Sequence, residues 1–238
     1  MKHALKASTS AYFDFLEAWA GDLPARALDN ENNPAIEVAV LVVDMINGFC
    51  SQGALSSPRV NGIVPPIVDL LERAHAYGVR DFFLLNDTHD PEAVEFNSFP
   101  PHCVRGTSEA EPVPEIKALD FFPQMNVIAK NSIASNLDTL FPDILASRPQ
   151  LKQFIVVGNC TDLCVYQMAM YLRLSANAGQ VAERQVIVPA ECVQTYDTDM
   201  ETAERIGAPP HPGDLLHQVF LHHMQINGVD VVSNVIFE

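Results

Sequence analysis

Residues 153–165 have the sequence QFIVVGNCTDLCV, and this stretch decides the fold class of the chain. It begins with an apolar run at residues 154–157, which predicts a fully buried strand. A short polar loop follows at residues 158–160, and we expect a helix over residues 161–176. A buried strand that leads through a loop into a helix is half of the βαβ unit from which parallel sheets are built.

The same alternation extends in both directions from this stretch. Apolar runs predict further strands, and apolar residues at helical spacing predict helices between them. We expect strands at residues 37–43, 81–85, 126–129, 185–188 and 229–237, and helices at residues 65–77, 137–145 and 214–224. Strands of nearly continuous apolar character that alternate with helices predict an α/β protein with a parallel sheet.

The first 34 residues differ from the rest of the chain. Tyr12, Phe15, Leu16 and Trp19 recur at helical spacing, so they predict one short amphipathic helix. The polar segment at residues 23–34 is typical of a linker. We therefore expect residues 1–34 to form an N-terminal helix and linker, and residues 35–238 to form a single domain. The helix packs either on that domain or against another subunit.

Composition excludes several classes of function. The chain has 238 residues, 48% of them apolar, and its 14 Lys and Arg against 30 Asp and Glu give a net charge of −16. This acidity argues against binding to nucleic acid or to an anionic membrane surface. Residues 1–10 lack the apolar core of a secretory signal, and five cysteines are too few for a disulfide framework. We expect a cytoplasmic protein that acts on a small molecule.

Reactive side chains follow the predicted strands at their carboxyl ends, where ligands bind in open α/β sheets. Asp44 and Lys130 each follow a strand directly, and Cys164 lies near the start of the helix expected over residues 161–176. Thr161 or Asp162 is expected to cap that helix. A helix N-terminus lowers the pKa of a thiol and offers free N–H groups to an oxyanion. The meeting of Asp44, Lys130 and Cys164 at one edge of the sheet therefore predicts that Cys164 is a nucleophile. The alternative is a buried structural cysteine.

Cys160 lies four residues before Cys164. Because C-x-x-x-C is not a usual zinc-binding spacing, we interpret Cys160 as a small loop residue whose backbone matters more than its sulfur. A redox pair with Cys164 is the alternative.

The loop after the second strand contains candidate metal ligands. Asp87 and His89 are two residues apart in an extended segment, so their side chains point to one face. Glu95 and His102 follow in the same loop. Two imidazoles and two carboxylates suit a divalent Zn, Mn or Fe ion, with Glu95 as the weaker contributor. The alternative is a solvated loop without a metal.

The other histidines indicate less. His217, His222 and His223 lie on the C-terminal helix, where we expect them at the surface or at an interface. His211 fits no pattern of ligands or catalytic residues.

Taken in order, these residues resemble those of the isochorismatase-like cysteine hydrolases over residues 38–193. The resemblance implies a three-layer α/β/α fold with a central, mostly parallel sheet of Rossmann-type topology. It also implies that Asp44, Lys130 and Cys164 form a catalytic triad. A cis peptide between Asn159 and Cys160 would place the N–H groups of Cys160 and Cys164 as the oxyanion hole. The motifs are VDMINGF at 43–49, DTH at 87–89, PPHCVRGT at 100–107, Lys130 and GNCTDLCV at 158–165.

Within that family, the DTH and PPHC motifs resemble the metal loop of nicotinamidases. The resemblance implies a metal-assisted hydrolase that converts a small pyridine-type amide, such as nicotinamide, to the acid and ammonia. Phe49, Phe99 and Asn159 would contact the substrate, and the enzyme would be a homo-oligomer. Asn47, Phe99 and Leu163 depart from the usual nicotinamidase residues. The alternatives are a metal-independent amidase or carbamoyl hydrolase, and an inactive ligand-binding member of the fold.

Overall fold

The structure, a computed structural model, describes residues 5–238 and the side chains of residues 9–238. The first four residues of the N-terminal segment therefore lie outside the described part. Within it, every helix is too short or too polar to span a lipid bilayer.

Strands and helices alternate along the chain. The strands are β1 Arg26–Leu28, β2 Val38–Val43, β3 Asp81–Asp87, β4 Asn126–Lys130, β5 Gln153–Asn159, β6 Gln185–Pro189, β7 Val193–Gln194, β8 Asp230–Val232 and β9 Val235–Phe237. The α-helices are α1 Leu5–Gly21, α2 Asn47–Cys50, α3 Pro58–Asn61, α4 Val64–Tyr77, α5 Pro114–Lys117, α6 Phe141–Ala146, α7 Cys164–Ala178, α8 Met200–Ile206 and α9 Gly213–Ile226.

The main sheet confirms the predicted α/β fold. Its strands lie in the order β4-β3-β2-β5-β6-β8, with β7 paired to β5, and all of its pairings are parallel. Numbered by their order in the chain, the six strands of the main path have the 3-2-1-4-5-6 order of a Rossmann fold. The order reverses between β2 and β5, and ligands bind at such a switch point, beyond the carboxyl ends of the strands.

Both faces of the sheet are covered. All six residues of β2 are fully buried, and alternate residues contribute to two separate hydrophobic clusters. Val38, Val40 and Val42 pack with residues of α4, whereas Ala39, Leu41 and Val43 pack with residues of α7. The two-residue period of a strand thus produces the three layers.

The strands near the two chain termini differ from the sequence expectation, whereas the N-terminal helix packs on the domain. The segment expected to be a linker contains β1, which pairs in parallel with β9 in a separate two-stranded sheet. The single strand expected at residues 229–237 is therefore two strands, one in each sheet. Helix α1 packs on α9, where the hydroxyl of Tyr12 lies 2.9 Å from Nδ1 of His222. The division into residues 1–34 and 35–238 stays a proposal.

Gly158 lies opposite Val43, where β5 pairs with β2. Its φ is +116°, and a Cβ there would lie 2.0 Å from the carbonyl oxygen of Val43. Because backbone atoms of β2 cannot move away without breaking the sheet, any side chain at this position would separate β2 from β5.

We expect Gly158→Ala to lower the free energy of unfolding by roughly 3 kcal/mol or more, since it combines a positive φ with a backbone clash. Gly106→Ala is the matched control, because Gly106 also has a positive φ (+82°) but open space around its Cβ position. It should cost only about 1 kcal/mol. Urea unfolding followed by circular dichroism measures both. Equal losses in the two variants would contradict the clash.

Candidate active site

Three charged side chains meet at the carboxyl edge of the sheet. Asp44 follows β2, Asp87 ends β3 and Lys130 ends β4, and all three are buried. Nζ of Lys130 lies 2.8 Å from Oδ2 of Asp44 and 2.5 Å from Oδ1 of Asp87. The same Nζ lies 3.7 Å from Sγ of Cys164. The ammonium group of Lys130 thus contacts the other two proposed catalytic side chains, Asp44 and Cys164.

Asp44 is held by its neighbours in one orientation. Its backbone has a φ of 54°, and its N–H donates to the carbonyl of Leu85. Oδ1 of Asp44 accepts from the N–H of Asp87 at 2.7 Å. Burial and the negative charge of Asp87 raise the pKa of Asp44 to about 6, although Lys130 partly offsets them. The carboxylate is therefore ionised at neutral pH and is a better base than an exposed aspartate.

Cys164 is the first residue of α7, and the expected capping of this helix is wrong. Leu163 occupies the N-cap without a side-chain hydrogen bond. Asp162 instead contacts Thr195 and His211, and Thr161 contacts His217. Neither side chain caps the helix, because both have partners more than 30 residues later in the chain.

The pKa of the thiol also differs from the sequence expectation. Burial raises the pKa of Cys164 well above its usual range, and the charges of Asp44 and Asp87 add to this against the opposing effect of Lys130. Cys164 is only 6% exposed, and its sulfur lies within 4.8 Å of both carboxylates. The resting group is therefore a neutral thiol beside an ionised carboxylate, rather than a free thiolate.

The loop before Cys164 has the expected backbone. The peptide between Asn159 and Cys160 is cis. The carbonyl of Cys160 accepts from the N–H groups of Leu163 and Val165. In the described part of the chain, no backbone carbonyl accepts from the N–H of Cys160 or of Cys164. Both N–H groups are therefore available to a ligand.

The proposed metal ligands cluster beside Lys130. Asp87, His89 and His102 each place one donor atom within 4.8 Å of the others, and all three residues are buried. The imidazole rings of His89 and His102 have centroids 4.6 Å apart. Glu95 is more distant, with Oε1 3.8 Å from Nε2 of His89. The structure thus brings all four residues together, with Glu95 at the edge.

The second nitrogen of each imidazole has a partner. Nδ1 of His89 lies 3.1 Å from Oδ1 of Asn131, an oxygen that also accepts from the N–H of Asp90. Nδ1 of His102 lies 2.8 Å from the carbonyl of Pro100. Both Nδ1 atoms therefore donate, and this second contact orients each ring, as in metal-ligating histidines. Nε2 of His89 faces the carboxylates of Asp87 and Glu95, at 3.5 and 3.8 Å.

A divalent cation fits these residues. Nε2 of His89 is buried and has no hydrogen-bond partner among the described residues. Burial lowers the pKa of His102, which keeps its imidazole neutral, as a metal ligand requires. Two imidazoles and a carboxylate are the donors that Zn, Mn or Fe binds.

The sites share one cavity of about 740 Å³. Cys164, Asp87 and His102 line it together with the proposed substrate residues Phe49 and Phe99. The ring of Phe49 lies 5.6 Å from that of His102, and the ring of Phe99 lies 6.2 Å away. The metal residues and the thiol therefore face the same space, with aromatic walls beside them.

The side chains of Asn159 and Asn47 each donate to a backbone carbonyl. Asn159 lines the cavity, but its Nδ2 donates to the carbonyl of Asp44 at 2.6 Å, so it supports that residue directly. Asn47 donates to the carbonyl of Ser108 and does not line the cavity. The difference from the usual nicotinamidase residue at position 47 therefore affects a contact within the protein and not the cavity wall. Leu163, which also differs from the usual residue, does line the cavity.

The opposite wall of the cavity contains residues that the sequence patterns do not identify. Tyr196 and His211 line it, with their rings stacked at a centroid distance of 3.8 Å. His211 also pairs with Asp162, two residues before Cys164. One sequence feature could have identified His211: two prolines precede it, as two prolines precede His102.

Several known proteins are similar to this chain. Nicotinamidase 1 of Arabidopsis thaliana is 31% identical over 215 residues, which cover 84% of this chain and 87% of that protein. The crystal structure of nicotinamidase PncA from Bacillus subtilis superposes with a TM-score of 0.64 at 22% identity, covering 82% of this chain and 99% of that one.

Two further crystal structures share the fold. The pyrazinamidase of Pyrococcus horikoshii in complex with zinc has a TM-score of 0.60 at 22% identity, with 82% of this chain and 98% of that one covered. N-carbamoylsarcosine amidase from Thermoplasma acidophilum also has a TM-score of 0.60, at 21% identity and with 82% and 95% covered. Residues 38–206 match the isochorismatase domain. The chain therefore belongs to the isochorismatase family.

Proposed function

We propose that this protein hydrolyses the carboxamide of a small heteroaromatic amide, such as nicotinamide, to the acid and ammonia. The chain is a hydrolase that acts on C–N amide bonds, as its relatives are. The observation that supports the finer proposal is the shared cavity, in which the thiol of Cys164 and the metal-type cluster around His102 face the same substrate space.

In the first half of the reaction, Asp44 accepts the proton of the Cys164 thiol as the sulfur attacks the amide carbonyl. Because burial keeps the thiol neutral at rest, proton transfer accompanies the attack. Lys130 contacts both groups and stabilises the negative charge as it moves from the carboxylate to the sulfur. The carbonyl oxygen becomes an oxyanion, which accepts from the N–H groups of Cys160 and Cys164.

The tetrahedral intermediate then collapses. The C–N bond breaks, and protonated Asp44 gives its proton to the nitrogen, which leaves as ammonia. The acyl group remains on Cys164 as a thioester. Asp44 next takes a proton from a water molecule, whose oxygen attacks the thioester. The C–S bond breaks, the acid is released, and the proton returns to the sulfur.

A divalent ion would be held by Asp87, His89 and His102, with Glu95 as a weaker ligand. When bound, it supplies a Lewis acid that can orient a substrate through a heteroaromatic nitrogen. The aromatic walls formed by Phe49 and Phe99 suit a flat ring in the same region. These features together favour a pyridine-type amide over an aliphatic one.

The cavity is larger than nicotinamide requires. Its volume of about 740 Å³ is within the range that holds drug-sized ligands, roughly 300–1,000 Å³. Nicotinamide itself, a single substituted ring, would fill only the part near Cys164. N-carbamoylsarcosine amidase from Thermoplasma acidophilum shares the fold, so a metal-independent amidase or carbamoyl hydrolase is the second candidate function.

The decisive experiment is ammonia release from nicotinamide by the purified protein, before and after treatment with a chelator. We expect turnover that the chelator abolishes and that added Zn, Mn or Fe restores, because the ion orients the ring. Turnover that is insensitive to the chelator would favour the metal-independent amidase. Activity on an N-carbamoyl amide alone would favour a carbamoyl hydrolase. Failure with every amide would indicate an inactive ligand-binding member of the fold.

The expected cytoplasmic location and homo-oligomeric state stay predictions. Light scattering on the eluted protein measures the mass in solution, and a mass of 26.2 kDa, that of a single chain, would contradict the oligomer.

A further inference from the structure

The two residues that start the TDLC motif are each held by a histidine from the C-terminal part of the chain. Oγ1 of Thr161 lies 2.9 Å from Nδ1 of His217, and Oδ2 of Asp162 lies 2.8 Å from Nε2 of His211. Both histidines lie beyond residue 206, where the match to the isochorismatase domain ends. A segment outside the matched domain therefore contacts the loop that positions the nucleophile.

The contacts of His211 fix both its orientation and its charge. Nε2 faces the carboxylate of Asp162, and Nδ1 lies 3.0 Å from the carbonyl of Tyr196. Since both partners are acceptors, both ring nitrogens must carry a hydrogen, and the ring is an imidazolium. Burial alone would lower the pKa of His211, but the hydrogen bond and charge of Asp162 outweigh it and raise the pKa.

Asp162 uses its other oxygen as well. Oδ1 accepts from the hydroxyl of Thr195 at 2.6 Å, in a buried position. The N–H of Thr161 donates to the carbonyl of Gln194 at 3.1 Å. The loop at residues 160–163 is thus held on one side by residues 194–195 and on the other by the two histidines.

His217 belongs to a second, neutral contact. Burial and the charge of Arg59 lower its pKa to about 4, so it is uncharged at neutral pH. The guanidinium of Arg59 donates to Asp214 at 2.7 Å and to the carbonyl of Thr195 at 3.2 Å. The first turn of α9 is therefore fixed against the same loop. His217, expected at the surface or at an interface, is half-buried and contacts this loop.

We propose that His211 and His217 are positioning residues that hold Asp162 and Thr161, and thereby fix the backbone of the nucleophile loop. This inference rests on the proposed function, in which the N–H groups of Cys160 and Cys164 stabilise the oxyanion. Such donors act at 2.7–3.1 Å from the developing charge, so a small shift of the loop weakens them. The C-terminal segment is then part of the catalytic unit.

The test compares variants of His211 with a histidine on the same C-terminal segment that is remote from the loop. His211→Ala should lower kcat by roughly 10²-fold with little change in KM, because misplacement of reacting groups by about 1 Å has that effect. His211→Gln retains a donor to Asp162 and should recover most of the rate. His222→Ala is the control, since His222 contacts α1 instead. It should leave kcat and KM unchanged.

A double-variant cycle tests the pairing itself. If Asp162 and His211 act as a unit, Asp162→Ala/His211→Ala should be no slower than the slower single variant. Thr161→Val removes the hydroxyl that contacts His217 and keeps the shape, whereas Thr161→Ser keeps the hydroxyl. We expect the valine variant to lose kcat and the serine variant to retain it.

Amide hydrogen exchange supplies a readout that does not need a substrate. The N–H groups of Thr161, Leu163 and Val165 are hydrogen-bonded in the held loop and should exchange faster in His211→Ala and Thr161→Val, but not in His222→Ala. If nicotinamide is not hydrolysed by the wild type, the proposed function fails while the exchange experiment still decides this inference.

Three results would overturn the positioning role. Unchanged exchange in both loop variants would show that the histidines do not hold the loop. An increase in KM at constant kcat would show that His211 contacts the substrate instead. Additive losses in the double variant would show that Asp162 and His211 act separately. Where His211→Ala does not fold, His211→Gln and the two Thr161 variants decide the same question.

Discussion

Replacing Cys164 with alanine is expected to lower kcat by at least roughly 10³-fold and to leave the melting temperature nearly unchanged. The change removes the sulfur that attacks the substrate. It leaves the ion pair between Lys130 and Asp44 in place, since these groups contact each other directly at 2.8 Å. Ammonia release and thermal unfolding of the same preparation measure the two effects.

Cys160→Ala is the matched control for this variant. Cys160 is also buried, lies four residues earlier, and lines the same cavity, but only its backbone N–H has a proposed role. Its replacement should be far milder. Retention of more than a few per cent of activity in Cys164→Ala would exclude the thiol mechanism. Equal damage from both substitutions would instead favour a redox or direct role for the Cys160 sulfur.

The sequence predicts the catalytic cluster because the cluster depends on the sheet. Asp44 follows the fully buried strand β2, and Lys130 ends the edge strand β4, in which only Ile128 and Lys130 are buried. The carboxyl ends of parallel strands meet at one edge of the sheet, so both side chains reach the same place. The metal residues after β3 are predictable for the same reason. Asp87 ends the strand, and its register opposite Lys130 follows from the pairing of β3 with β4.

Contacts between distant segments are not predictable in this way. Asp162 and His211 are 49 residues apart, and Thr161 and His217 are 56 apart. Local patterns therefore favour the nearest use of Thr161 and Asp162, which is capping of α7. Tertiary contacts override that preference, because a carboxylate buried beside an imidazolium gains more than one at an exposed helix start.

The expectation of a lowered pKa for Cys164 is wrong for a related reason. A helix N-terminus does favour a thiolate, but the thiol is buried and shares its surroundings with two carboxylates. Desolvation and the like charges of Asp44 and Asp87 disfavour the anion, and together they outweigh the ammonium group of Lys130. The depth of burial at a strand end cannot be read from residue types alone.

The second large effect concerns the metal. His102→Ala and His89→Ala are expected to lower the bound divalent metal and the amidase rate together, each by at least about 10-fold, because each removes an imidazole ligand. Glu95→Ala should lose less of both, since Glu95 lies at the edge of the cluster, 3.8 Å from His89. Elemental analysis of the purified variants gives the metal content independently of activity.

His102 offers the cleanest of these substitutions. Its Nδ1 partner is the carbonyl of Pro100, so its removal leaves no charged group without a partner. Asp87 is a poor choice, because its carboxylate contacts Lys130 and its charge raises the pKa of Asp44. A loss of activity in an Asp87 variant would therefore reflect the catalytic groups as much as the metal. His223→Ala, an exposed histidine on α9, is the control for unspecific metal binding.

The correlation between metal content and rate decides the role of the ion. If His102→Ala loses metal but keeps its rate, the cluster is structural, and substrate orientation falls to Phe49 and Phe99. If it keeps its metal but loses its rate, the imidazole acts on the substrate directly. If the wild type binds no divalent ion at micromolar concentration and a chelator leaves its activity unchanged, the metal assignment is wrong. The imidazole of His89 would then pair with the carboxylate of Asp87, whose Oδ1 lies 3.5 Å from Nε2, and the metal-independent amidase would become the favoured function.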